Sequence, residues 1–383
     1  MILNRKALMM IQPALGPRWP GRIFCALLGL LAWLGAARAV SAGPGAPGAE
    51  VAPPAGFHEV GGSNYVMYHV APEYRQEHNV DSWWRPGVLQ PVIGTFHEQG
   101  RQAVLDQLKT MHDGGQRKIA LVLWHMPMNG EPDAHDNICG HALRSDGGAL
   151  TAQHQANLKN LLLMIKQTGY FNELDFRFGP QGNAHPGEWS KWDEARYQEN
   201  WNFLVATRKI VEDALKGGSM KVLYDLGVEY AGDERAQAPA YMKRLWQDYT
   251  AHFGKRDCYG FSFALEPGEI GRMLKMYDQT GVRPDVFALD VYDLIPQKFA
   301  AAAEEFKAAG IDRPRIIIQE TYHNDANMLA QLQQAQKEHQ FEFLYLMQWP
   351  LDPGIPHCHF NMDFPSRYDA YLGRPAALSD KKS

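Results

Sequence analysis

Short apolar runs alternate with longer amphipathic stretches along most of the chain. The apolar runs are Ser63–Val70, Lys118–Met126, Glu173–Gly179, Lys221–Glu229, Cys258–Leu265, Asp285–Tyr292, Arg315–Glu320 and Phe341–Trp349. Their length and their content of Ile, Val, Leu, Phe and Tyr predict strands. Between them, Glu98–Met111, Thr151–Gln167, Glu194–Lys216, Pro239–Phe253, Gly268–Thr280, Pro296–Ala309 and Ala326–Glu338 carry the helical period. Strands that alternate with helices must pair in parallel, because each return needs a crossover. Eight such units predict a (β/α)8 TIM barrel in a single domain. An open doubly wound sheet would usually place a Gly-rich phosphate turn after its first strand. Here that position reads "APEYRQEHNVDSWWRP".

The N-terminal segment breaks the pattern. Arg5, Lys6, Arg18 and Arg22 precede the apolar run Ile23–Leu34, and Ala37-Arg38-Ala39 follows it. Residues 1–39 therefore read as a bacterial-type signal peptide, which implies a secreted or periplasmic protein with no membrane association after cleavage. Residues 40–56 are a Pro/Gly/Ala-rich linker, and 57–383 hold the barrel with its C-terminal tail. A formal charge of −5 with no basic stripe excludes nucleic acid as the expected partner. Export also brings an oxidising compartment. Cys139, after the second strand, and Cys358, after the eighth, both fall on the carboxyl face, so a Cys139–Cys358 disulfide is expected. Cys258 opens the fifth strand at the other end and should stay a thiol.

In such a barrel the chemistry sits where strands end. The second strand ends on Trp124 and His125, the third carries Arg177, and the fourth and seventh end on Glu229 and Glu320. Glu266 follows the fifth, Tyr292 the sixth, and Trp349 closes the eighth. Strands four and seven face each other across the mouth, so Glu229 and Glu320 form an opposed carboxyl pair, as glycosidic cleavage requires. This placement resembles the clan A glycoside hydrolases, retaining (β/α)8 enzymes with the acid/base at the end of strand four and the nucleophile at the end of strand seven. The resemblance implies Glu229 as acid/base, Glu320 as nucleophile, Tyr292 as the tyrosine beside the nucleophile and Trp349 as a sugar platform. It departs at Val228, where the family usually has Asn.

The remaining candidates for substrate binding are His125, Arg177, Trp84, Trp189 and Glu266. Loop tryptophans such as Trp84 and Trp189 suit stacking on sugar faces, or else burial under long loops. Arg177 shares a strand face with Asp175 and is placed to pair with Asp225. Glu266, before Pro267, suits either a substrate contact or the positive end of a helix whose first residue is Pro267. His135, His141, His357 and His359 lie near Cys139 and Cys358, but their spacing matches no standard zinc pattern. The reading is a secreted glycoside hydrolase acting on a polysaccharide or oligosaccharide, with no cofactor and no metal. The alternatives are a non-catalytic or transglycosylating glycan-binding barrel and a metal-dependent hydrolase.

Overall fold

The computed structural model describes residues 51–66, 92–96, 101–127, 142–354 and 367–374. The expected signal peptide, most of the expected linker, Trp84, Cys139, Cys358 and the histidines around those cysteines lie outside the described residues.

The sheet strands are β1 (Gly62–Asn64), β2 (Lys118–Pro127), β3 (Leu143–Asp146), β4 (Ala149–Leu150), β5 (Glu173–Pro180), β6 (Lys221–Asp225), β7 (Phe263–Ala264), β8 (Phe287–Asp290), β9 (Arg315–Glu320) and β10 (Glu342–Gln348). Parallel pairing runs β6–β5–β2–β1–β10–β9–β8–β7. The stretch leading into β7 closes the ring against β6, through a Tyr224–Cys258 bridge and the bonds Tyr224 N to Asp257 O and Leu226 N to Gly260 O. The fold is a (β/α)8 barrel. β3 and β4 form an antiparallel hairpin on the edge of β2, which the strand count from sequence lacked.

The helices among the described residues are α1 (Val92–Thr95), α2 (Arg101–Asp113), α3 (Ala152–Thr168), α4 (Glu194–Leu215), α5 (Ala238–Phe253), α6 (Glu269–Thr280), α7 (Ile295–Ala308) and α8 (Ala326–His339). Their starts follow capping chemistry: Thr151, Asp193 and Asp325 each accept a backbone N–H from the first turn of the helix they precede. α6 begins at Glu269 behind Gly268, so Pro267 lies outside the helix rather than opening it.

The main core fills the space between sheet and helices, with Leu121, Leu123, Leu161, Phe203, Leu245, Phe299 and Leu332 among its members. Inside the ring, alternate residues of neighbouring strands meet in layers set by register. Lys118, Glu173 and Lys221 form the lowest, then Ala120, Asp175 and Leu223, then Val122, Arg177 and Asp225, then Trp124 beside Gly179. A Cβ on Gly179 would stand 2.4 Å from the Trp124 ring, so only glycine leaves room for that indole.

Candidate active site

β9 carries Glu320 into the barrel by an irregularity. Ile317 pairs with Ala288 and belongs to the interior cluster with Ala120, Leu223 and Leu344. Strict alternation from Ile317 would send Gln319 inward and Glu320 outward. The β8–β9 register instead slips one residue, so Asp290 pairs with Glu320. This bulge re-aims the carboxylate into the ring, a use of bulges common beside active sites.

Arg177 is the centre of the layer that results. It is fully buried. Its Nε donates to Asp225 at 3.1 Å. Nη1 donates to Asn64 at 2.9 Å and to Glu320 Oε1 at 2.5 Å. Nη2 donates to Ser262 at 3.0 Å and to Asp290 Oδ2 at 3.2 Å. Burial alone would lower the arginine's pKa, but Glu320, Asp290 and Asp225 together hold it well above its ordinary value. The second oxygen of Glu320 accepts the Tyr292 hydroxyl at 2.7 Å. Burial, then the Glu320 charge and this bond, raise the Tyr292 pKa well above its ordinary value, so Tyr292 remains a donor.

Glu229 reaches the same place from a turn, not from a strand end. β6 stops at Asp225, and Glu229 adopts φ 56°, the left-handed region that a glutamate seldom takes. Asp225 Oδ1 accepts the backbone N–H of Gly227 and of Ser262, fixing the turn. Ser262 Oγ then accepts the backbone N–H of Glu229 at 3.1 Å. A Cβ on Gly227 would meet the Tyr230 ring at 2.7 Å, which explains glycine there. Strain of this kind costs of order 1–3 kcal/mol and persists where the surroundings over-determine it.

One carboxylate oxygen from each of Glu229, Asp290 and Glu320 lies within 4.8 Å of the others. Such an acidic set could surround a cation, but Arg177 already supplies a positive charge to two of the three. Burial by the cleft walls, then the Glu320 charge, push the Glu229 carboxyl up to about 7, with Arg177 pulling the other way. By accessible area Glu229 is exposed. With the residue exposed, the like charge of Glu320 is the firmer cause.

The other candidates fall in different places. Trp349 stands edge-to-face on Trp124, 5.7 Å between centroids, in a cluster with Val66, Val122 and Leu351. Val228, Tyr292 and Tyr322 pack against this cluster. His125 lies on the outward face of β2, in phase with Leu121 and Leu123. It stacks on Phe203 of α4 at 3.6 Å, apart from the carboxyl groups, and burial drives its pKa down to about 3. Trp189 is only 4% exposed and packs edge-to-face on Trp192 and Tyr241, which makes it a loop-covering core residue. Glu266 is exposed and pairs with Lys298 at 2.7 Å. Sequence reasoning missed Asp290, Asn64 and Ser262. Asp290 lies two residues before Tyr292, so strand alternation from Tyr292 was the available signal.

No family model matches the chain, and no curated protein does. Among solved structures, the β-glycosidase BGL167 is 10% identical over 85% of this chain and 98% of its own, with a TM-score of 0.48. A GH113 β-1,4-mannanase is 11% identical over 70% of this chain and 92% of its own, with a TM-score of 0.47. N2152 from Neocallimastix frontalis is 13% identical with a TM-score of 0.39; 69% of this chain is covered, and it spans 61% of that protein's length. These identities are too low to carry an activity across.

Proposed function

We propose that this protein is an exported glycoside hydrolase that cleaves a polysaccharide or oligosaccharide with retention, using Glu229 as acid/base and Glu320 as nucleophile. The observation that carries this reading is the approach of their carboxylate oxygens to within 4.8 Å at the carboxyl ends of the barrel strands. Retaining pairs stand about 5–5.5 Å apart and inverting pairs about 6.5–9.5 Å. In the first step Glu229 gives its proton to the glycosidic oxygen as Glu320 Oε attacks the anomeric carbon. The C–O bond to the leaving group breaks and an ester to Glu320 forms. Water then attacks that carbon, Glu229 takes its proton, and Glu320 is released. Arg177 and Tyr292 donate to the two Glu320 oxygens and so fix the carboxylate in place for attack. Tyr322, half-buried against Tyr292, supplies apolar surface for a sugar ring, with the buried Trp124 and Trp349 packed behind it.

A purified protein screened on a polysaccharide panel, then treated with a 2-fluoro glycoside of the sugar it cleaves, tests this. A covalent adduct on Glu320, found by peptide mapping, is the expected result. A second reading, a glycan-binding or transglycosylating barrel, is favoured by apolar Val228 beside the aromatic cluster. Binding without an adduct or released sugar would select the non-catalytic form, and an adduct that passes mainly to sugar acceptors the transglycosylating one. Export is tested by N-terminal sequencing of protein recovered from outside the cytoplasm, where a start at Val40 is expected.

The pH dependence follows from Glu229. As the acid it must be protonated, so kcat/KM should fall as pH rises through about 7. Removing the neighbouring charge, as in Glu320→Gln, would itself lower the Glu229 pKa, so the profile is read on the unaltered protein. A rate that stays flat from pH 5 to 9 with chemistry limiting would remove Glu229 from the role.

A further inference from the structure

The layer beneath the cleft holds more carboxyl groups than one guanidinium can balance. Around Arg177 stand Asp225 from β6, Glu229 from the turn after it, Asp290 from β8 and Glu320 from β9. Tyr292, just after β8, and Tyr259, before β7, also face this set. Their hydrogen bonds are unequal. Asp225 accepts from Arg177, Gly227 and Ser262. Glu320 accepts from Arg177 and Tyr292. Asp290 is 2% exposed, and its Oδ2 accepts only the longest of the Arg177 bonds, at 3.2 Å. Its Oδ1 is buried with no partner. An ionised carboxylate so placed would leave a charged oxygen unsolvated, at large cost. A proton on Oδ1 removes the charge from that orphan oxygen, in a site where one Asp290 oxygen lies within 4.8 Å of an oxygen of Glu229 and of Glu320.

We propose that Asp290 is a positioning residue held as a neutral acid under the Glu229–Glu320 pair, its proton on Oδ1, so that the Arg177 charge serves Glu320. This rests on the glycosidase reading for its purpose, though the protonation itself does not. Burial and the nearby Glu320 charge act in the same direction, raising the Asp290 pKa well above the carboxylate range. A neutral Asp290 also spares Glu229 a further like charge. An ionised third carboxylate would lift the Glu229 proton affinity further and weaken the hold of Arg177 on Glu320.

The test has two arms on the full-length protein. In the first, wild-type protein labelled with 13C at the aspartate side-chain carboxyl is read by infrared spectroscopy at pH 8.5. Asp175, which burial raises to about 7, is removed from the signal by comparison with Asp175→Asn. A protonated aspartate C=O band, present in the wild type and in Asp175→Asn but absent from Asp290→Asn, is expected. If every aspartate is ionised at that pH, the proposal is overturned. This arm needs no turnover and no substrate, so it stands even if no glycan is cleaved. In the second arm, Asp290→Asn keeps a neutral group with a donor where Oδ1–H stood. The alkaline limb near pH 7 should stay in place. Were Asp290 an ionised neighbour, removing its charge would move that limb down by about one unit or more, as like charges shift carboxyls, and that shift would refute the proposal. Should Asp290→Asn fail to fold, the labelled wild type with Asp175→Asn as its control still decides.

Discussion

Replacing Glu320 with Gln is expected to lower turnover by roughly 10⁴-fold or more, the scale seen when a covalent nucleophile is removed. The substitution keeps shape and hydrogen-bonding capacity. The amide oxygen can accept from Arg177 where Oε1 did, and the amide nitrogen can donate to the Tyr292 oxygen in place of Oε2. Folding and glycan affinity should therefore survive, which separates lost chemistry from lost structure. The measurement is kcat on the cleaved glycan beside thermal melting and a binding isotherm. A Glu320→Gln protein with near-normal turnover would end the assignment of Glu320 as nucleophile. Glu229→Gln should behave differently: it should slow natural linkages far more than activated aryl glycosides, whose leaving groups need little protonation.

Arg177→Met is expected to be the most destabilising single change at the site. The guanidinium is fully buried and bonded to Asp225, Asp290 and Glu320. Removing one partner of a buried ion pair costs about 3–5 kcal/mol, because the other charge is left without compensation. Here several carboxyls lose the same cation. Against a total stability of about 5–15 kcal/mol, such a loss brings the protein close to unfolding at moderate temperature. Urea denaturation of Arg177→Met beside the wild type measures it. Arg177→Lys keeps the charge but not the planar fork, so it should fold with a smaller loss and reduced turnover. Equal denaturation midpoints for Arg177→Met and wild type would show that the layer is not held by this residue.

The alternation of apolar runs with amphipathic stretches made the barrel legible, because the two periods of 2 and 3.6 are themselves the geometry of strand and helix. What hid in the sequence was local departure from those periods. "YDLGVE" reads as one apolar run to Glu229, but Asp225 and Gly227 turn the chain and the strand stops at Asp225. "RIIIQE" carries no mark of the bulge that brings Glu320 in phase with Ile317. Asp290, between apolar neighbours in "FALDVY", looks like a strand end rather than a member of the site. His125 and Trp189 drew notice by residue type, yet their facing is decided by strand phase and by packing on Phe203 and Tyr241. The hairpin of β3 and β4 did have a signal, the Gly147-Gly148 pair between two short runs.

The reach of Arg177 bears on how this barrel can be divided. Barrels of this type invite description as two half-barrels of four staves each, and such halves are attractive units for recombination or for expression alone. The arginine belongs to the first half, whose staves are β1, β2, β5 and β6, and there it finds Asn64 and Asp225. Ser262, Asp290 and Glu320 come from the second half. A fragment ending before residue 257 would keep the cation and lose most of what neutralises it, while the complementary fragment would gather Asp290 and Glu320 with no cation between them. Neither half is electrostatically complete, so the chain behaves as one indivisible module, and a chimera made by exchanging halves would have to carry Arg177 and its carboxyl partners across the seam together.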